Sequence, residues 1–422
     1  MRTRHRIVLI VAAVIGSLSA WRALAPSWRV PLPDQANLAE ERMQDFRDAL
    51  YFPIREFLAG GNPYDPAAMF AHWPVRQDFN LYQPYHLLLH MPFALPGYRV
   101  GAVAFGVFGL LLLIALAALA ARAVRRLVPV PIAVTTAVAV ALVLTSQVGK
   151  AQLYVGQINP LIALAAAGTL VVRRERPGWA AVGLALAWLK PQYGLPLAIL
   201  LYARGSRRVA LVGTAMAAAA SLPVVALLVI RGGGLGAFLD VVVANLTHAR
   251  STEYGAVDSP TAQRIDIAAV LFRGTGWAPS GGELVVLAAV LVVSVLFVRR
   301  LDRADAVPVA DLLTCLAVVV CVVHQPGDVL IAVPAMAAVS ALWWHHRSEP
   351  SWGTAGTAIL ALAVPFAHLY TVDSVVISLF GTRAAVTVDG VAVVLAWCLL
   401  VFTAVRLTGV RVTRPVVAGR VG

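Results

Sequence analysis

Asp45 and Asp48 sit three residues apart in "MQDFRDALYFPIREFLAGGNPYDP", residues 43–66, an acidic and aromatic stretch of an otherwise apolar chain. On an α-helix this spacing puts both carboxylates on one face, where two like charges beside a low-dielectric surface push at least one pKa upward. A carboxyl tuned in that way can take a proton from a sugar hydroxyl, which is general-base work. The same pair also fits a solvated helix face whose partners are Arg42, Arg47 and Arg55.

Lys190 is one of only two lysines, with Lys150, in a chain whose cations are otherwise arginine. It breaks an apolar run, residues 178–203, and Pro191 follows it. A lysine at membrane depth costs about 2.5–3.5 kcal/mol on insertion scales, so it must face protein, a cavity or a counter-charge. The backbone opened by Pro191 is tolerated at that depth only where it lines protein or water. Lys190 therefore either snorkels to an interface or serves as a cation for a phosphate. His324, in "CVVHQPGDVLIAVPA", opens a short turn with Asp328 at the start of the next helix. It reads as a structural donor or as a contact to a phosphate or hydroxyl. Gln157 and Asn159, in "YVGQINPL", offer neutral amides that either orient a sugar or cap the helix starting at Pro160. His345 and His346 read as a solvated loop end, and no spacing of His, Asp or Glu argues for a metal cage.

The elements that must hold these residues follow from composition. With 60% hydrophobic and 13% charged side chains over 422 residues, and a mean hydropathy of +0.79, the chain is too apolar for a soluble globular protein. The net charge of +13 lies in loop-end arginines, so no nucleic-acid partner is expected. Cys315, Cys321 and Cys398 fall inside apolar runs and read as buried hydrophobes, without disulfides. "MRTRHRIVLIVAAVIGSLSAWRALAP" has the features of a signal peptide, but the spans that follow favour an uncleaved first helix.

Apolar runs able to cross a hydrocarbon core of about 30 Å lie near 7–25, 100–121, 130–148, 158–172, 209–230, 284–299, 307–323, 328–344, 355–371 and 385–405. Arginine clusters beginning at Arg2, Arg122, Arg173, Arg204, Arg299 and Arg347, and ending with Arg406, Arg411 and Arg414, fall at alternate loop ends and are placed in the cytoplasm. The 178–203 segment has arginines at both ends, so it is predicted to be a broken hairpin turning near Lys190. The expected fold is an all-α polytopic membrane protein, one integral domain over 1–422, with about 12 membrane segments and both termini inside. Loops 27–99, 149–157, 231–283, 324–327 and 372–384 then lie on the outer face of the cell (inner or plasma) membrane. Within the first of them, residues 39–59 have the spacing of an amphipathic helix lying in the interface, divided by Pro53 and stopped at Gly60–Gly61.

The ordered motifs "DFRDALYFPIREFLAGGNPYDP", "LYQPYHLLLHMPFALP", "GQINPLIAL" and "GLALAWLKPQYGLPLAILL", over residues 40–205, resemble glycosyltransferase family 87. These are GT-C membrane enzymes, typical of mycobacteria and their relatives, that use polyprenyl-phosphate-linked sugars. The resemblance implies a GT-C-like fold and transfer of a sugar, mannose first and arabinofuranose as the alternative. The acceptor would be a cell-envelope glycolipid or polysaccharide on the outer face, in contact with membrane lipids. It implies Asp45 as the inverting general base, with Asp48 as rival, and Lys190 and His324 on the donor phosphate. Tyr51, Tyr82, Gln83, Gln157, Asn159 and Gln192 would line the substrate site. A single phosphate on the carrier requires no metal, and no cofactor is expected. The reading from another class is a lipid or sugar transporter or flippase, which shares the broken helix and buried cation. Against it, the chain has no internal repeat and its acidic residues cluster in a loop. A non-catalytic scaffold would leave Lys190 unexplained.

Overall fold

In hydrocarbon every backbone N–H must find a partner within the protein, and a helix satisfies its own. The computed structural model describes residues 3–252, 255–257, 264–277, 279–367 and 370–409, the side chains of 370–374 and 382–387 excepted, and among these it is helical with no strand. Arg411, Arg414 and parts of the 231–283 loop lie outside the described residues.

Among the described residues six helices are long and apolar enough to cross a membrane alone: Thr3–Arg29, Tyr98–Arg125, Arg207–Arg231, Gly282–Arg303, Pro326–His345 and Val388–Gly409. A seventh arises if Ile132–Thr145 and Gln147–Val155, bent by 66°, are one span. The expected outer loop 149–157 is thus mostly helix. Ser146 caps that helix by accepting from the Gly149 N–H at 3.0 Å, and Gly156, at φ 71°, ends it in the left-handed region. Cys315 and Cys321 are buried, but Cys398 is exposed on the outer surface of a long helix rather than packed inside. An apolar run cannot by itself tell a lipid-facing from a core-facing position.

The remaining apolar helices are short. Asn159–Val172, Pro177–Ala187, Pro191–Ala203 and Val307–Val320 have 11 to 14 residues, and each carries proline in its first turn, where the missing N–H is harmless. At 1.5 Å per residue they extend only about 16–21 Å. A buried ionic layer ties their ends together. Arg204 pairs with Asp302 at 2.7 Å and with Asp311 at 2.8 Å, and Arg173 reaches the same aspartates at 3.6 and 3.0 Å. Arg173 precedes the Pro177–Ala187 helix and Arg204 follows the Pro191–Ala203 helix, so the two helices start and finish at the same level. They double back through Trp188, Leu189 and Lys190. The turn is tight: Gly194 lies so close to Trp188 that an added Cβ would sit 2.4 Å from its ring. The Trp188 indole donates to Thr214 at 3.0 Å.

The acidic segment does not lie as an amphipathic helix on a surface. Phe46–Tyr51 is a π-helical turn, followed by Phe52–Leu58 with Pro53 in its first turn. Phe46, Arg47, Asp48, Leu50, Ile54, Glu56 and Phe57 are all buried. Aromatic packing draws the segment in: the Phe46 ring stands 5.1 Å from Phe105 and 5.8 Å from Tyr98. Burial of each such side chain contributes about 1.5–3 kcal/mol, which an interface-lying helix would partly forgo. Within this turn Asp48 turns to Arg47 and to the backbone N–H groups of Arg76 and Gln77, while Asp45 accepts from Gln157, and the charge of Asp48 still raises Asp45.

Candidate functional site

Several polar side chains far apart in sequence meet at the tip of the 177–203 hairpin. Asp45 is partly covered, accepts a hydrogen bond from the Gln157 side chain, and lies in the field of Lys190 and Asp328. The Lys190 ammonium stands 5.7 Å from the Tyr82 ring centroid. Asn159 Nδ2 donates both to Gln157 Oε1 and to Asp328 Oδ1, each at 2.7 Å. Tyr193 donates its hydroxyl to the Asp328 carbonyl at 3.4 Å and meets the His324 ring edge-on, 4.7 Å between centroids.

The backbone supporting Asp45 is unusual. Met43 is fully buried and holds φ at 55°, a left-handed conformation uncommon for a residue with a side chain. Its N–H donates to the Tyr154 carbonyl at 2.7 Å. The segment thus docks on the turn that carries Gln157. A Cβ on Gly156 would come within 2.8 Å of Phe46 Cβ and 3.0 Å of Met43 Cε, so glycine there permits the approach as well as the turn. Gln83 contributes through its backbone, its N–H donating to the Leu189 carbonyl at 3.0 Å beside Lys190.

Asp48 faces elsewhere. It pairs with Arg47 at 2.6 Å and accepts the backbone N–H groups of Arg76 and Gln77 at 3.2 and 3.1 Å. Those bonds pin the 76–80 loop. The loop is latched in turn to the Leu235–Ser251 helix by Asp78–His248 at 2.8 Å and by reciprocal Asn80–Asn245 bonds. Tyr51 is half-buried among Phe46, Phe52 and Tyr98. Gln192 is half-buried in the first turn of the Pro191–Ala203 helix.

Burial is the largest influence on Asp45 and raises its pKa; Lys190 and the Gln157 bond lower it, Asp48 and Asp328 raise it, and the balance lies at about 6. Asp48 is also raised, burial outweighing its Arg47 partner. His324 is lowered, first by burial and further by Lys190, against the opposing pull of Asp328. Its Nδ1 lies 2.9 Å from the Val322 carbonyl, which can only accept, so Nδ1 carries the proton and Nε2 of the neutral ring is an acceptor. Among the described residues Nε2 is buried and has no protein partner, and the same holds for Asn159 Oδ1 and Gln152 Oε1. Such atoms suit the hydroxyl groups of a ligand. Among the described residues no three His, Cys, Asp or Glu side chains gather as a metal site.

An apolar cavity of about 340 Å³ adjoins the hairpin, lined by Leu89, His90, Pro92, Phe93, Phe108, Leu161 and Leu186. Leu186 lies four residues before Lys190 and Leu161 two after Asn159.

Asp328 and Tyr193 were not among the site residues expected from sequence. Asp328 follows His324 by four residues in "HQPGD", but its importance comes from Asn159, 169 positions away. The second large loop also reaches the site, Ile265 donating its N–H to the His324 carbonyl at 2.9 Å next to the buried Arg264–Asp266 pair.

The family model for glycosyltransferase family 87 matches residues 80–326, a span that includes Tyr82, Gln157, Asn159, Lys190 and His324 and begins downstream of Asp45. No curated protein and no solved structure gives a match.

Proposed function

Because the chain belongs to glycosyltransferase family 87, we propose that it moves a sugar, mannose, from a polyprenyl-phosphate donor to a cell-envelope glycolipid or polysaccharide on the outer face of the membrane. The observation that carries this reading is the proximity of Asp45, with a pKa of about 6, to Lys190 at the hairpin tip. Asp45 takes the proton of the acceptor hydroxyl as its oxygen attacks the anomeric carbon. The bond from that carbon to the phosphate oxygen breaks on the opposite face, which inverts the centre. The carrier leaves as a monophosphate with one more negative charge, and Lys190 stabilises that charge where it develops. His324, with a free acceptor at Nε2, suits a sugar or acceptor hydroxyl better than the phosphate.

The arginine layer at the far ends of the short helices supports a cytoplasmic side there, by the positive-inside rule. The site then lies roughly 20 Å away, recessed from the outer surface. Counting the short helices as membrane segments brings the total toward the expected 12 or so. The apolar cavity beside Leu161 and Leu186 offers a wall for the start of the polyprenyl chain. Membranes containing the protein, supplied side by side with labelled polyprenyl-phosphomannose and polyprenyl-phosphoarabinose, test the proposal. Incorporation from the first supports it; incorporation from the second alone replaces the sugar, and from neither rejects the reaction.

A further inference from the structure

A carboxylate only accepts hydrogen bonds, and an amide has one accepting and one donating end. Where amides follow a carboxylate in a chain, the direction of every bond is dictated by the carboxylate. Asp328 is buried and both its oxygens are used: Oδ2 accepts the Gln325 backbone N–H at 3.0 Å and Oδ1 accepts Asn159 Nδ2 at 2.7 Å. Asn159 must therefore turn its NH2 group toward Asp328. The second hydrogen of that group goes to Gln157 Oε1 at 2.7 Å. Gln157 in turn has its NH2 end free for Asp45 and for Gln325 Oε1 at 3.5 Å. The orientation leaves Asn159 Oδ1 buried without a protein partner among the described residues, although reversing the amide would set that oxygen against a carboxylate.

Resting on the reading of Asp45 as the base, we propose that Asp328 is a positioning residue that sets the polarity of the relay Asp328–Asn159–Gln157–Asp45, so that Gln157 always presents N–H to Asp45. With the polarity reversed, Gln157 would present its carbonyl. Asp45 would then have to hold a proton to donate to it, and a protonated carboxyl cannot act as the base. Asp328 touches none of the reacting atoms in this scheme. It acts through two amides and keeps the accepting oxygens of Asp45 available to a substrate hydroxyl.

Asp328→Asn separates this role from a simple charge effect because the two shift Asp45 in opposite directions. The Gln325 N–H cannot reverse, so the introduced amide keeps its oxygen there and turns its NH2 to Asn159, inverting Asn159 and then Gln157. Loss of a negative charge alone would lower the pKa of Asp45; inversion raises it. The measurement is infrared titration of the full-length protein in lipid, following the carboxyl band that disappears in Asp45→Asn. An upward shift of about one pH unit in Asp328→Asn is expected; a downward shift or none overturns the relay. Asn159→Ala provides a second test with Asp328 retained. Here too the pKa should rise, because Gln157 is no longer held and Asp328 loses the donor that screens it, and an unchanged value overturns the proposal. The band is read without turnover, so failure of the relay is distinct from failure of the transferase reading, which shows as undiminished transfer by Asp45→Asn.

Discussion

The acid limb of the pH–rate profile should report Asp45 directly. At a pKa of about 6, the carboxyl is about 90% ionised at pH 7 and about 9% at pH 5, so kcat/KM for sugar transfer should fall about tenfold over that interval. A carboxyl with an ordinary value near 3.9 would remain about 90% ionised at pH 5 and produce almost no change. The sign follows from the base needing its charge: activity is present above the pKa and lost as pH falls through it. Lys190 lowers the pKa of Asp45, so Lys190→Met should move the limb above 6 and also weaken use of limiting donor. The assay is initial-rate transfer in proteoliposomes from pH 4.5 to 8, after confirming that the protein survives the acid exposure by returning it to pH 7. A flat profile down to pH 5, or a limb that moves downward in Lys190→Met, would refute the electrostatic account of the site.

Other consequences are separable from that one. Asp48→Asn should lower the amount of folded protein by leaving the Arg47 charge buried, a loss of about 3–5 kcal/mol, while whatever folds has its acid limb moved slightly downward, because the charge of Asp48 raises Asp45; thermal unfolding in detergent alongside the pH profile checks both. Gly156→Ala should reduce transfer by pushing on Phe46 and Met43 and straining a left-handed turn, a cost of about 2–4 kcal/mol, seen as a lower Tm and a lower rate. An exposed single cysteine at Ala67, in a cysteine-free chain, should react with an impermeant reagent added outside intact cells; protection there with reactivity only after lysis would reverse the proposed orientation. Transfer should persist in the presence of a chelator, since the proposed donor carries one phosphate and the proposed cation for it is Lys190; loss restored by added metal would contradict this.

Much of the helical scaffold was legible because long apolar runs bounded by arginine have few alternatives in a membrane. Lys190–Pro191 was conspicuous for the same reason, a charge and a helix breaker together in apolar sequence. What sequence spacing misrepresented was the 39–59 segment. Its alternating charges suggested a surface helix, yet Arg47 and Asp48 neutralise one another inside the protein and the aromatic residues pull the turn into the core. Asp45 and Asp48 remain electrostatically coupled, as their spacing suggested, but their hydrogen-bond partners differ, Gln157 for one and Arg47 with the Arg76 and Gln77 backbone for the other. Asp328 was visible only as a neighbour of His324 and Tyr193 not at all, since the partners that bring them into the site, Asn159 and His324, come from distant parts of the chain. The unoccupied acceptors at His324 Nε2 and Asn159 Oδ1 likewise emerge only from the packed structure.

The most direct test of the central claim is transfer of labelled mannose from polyprenyl-phosphomannose by Asp45→Asn, assayed in membranes at matched protein level. Turnover should be abolished while the amount of folded protein is unchanged. Turnover retained by Asp45→Asn would contradict it, and retention there combined with loss in Asp48→Asn at full folding would move the base to Asp48.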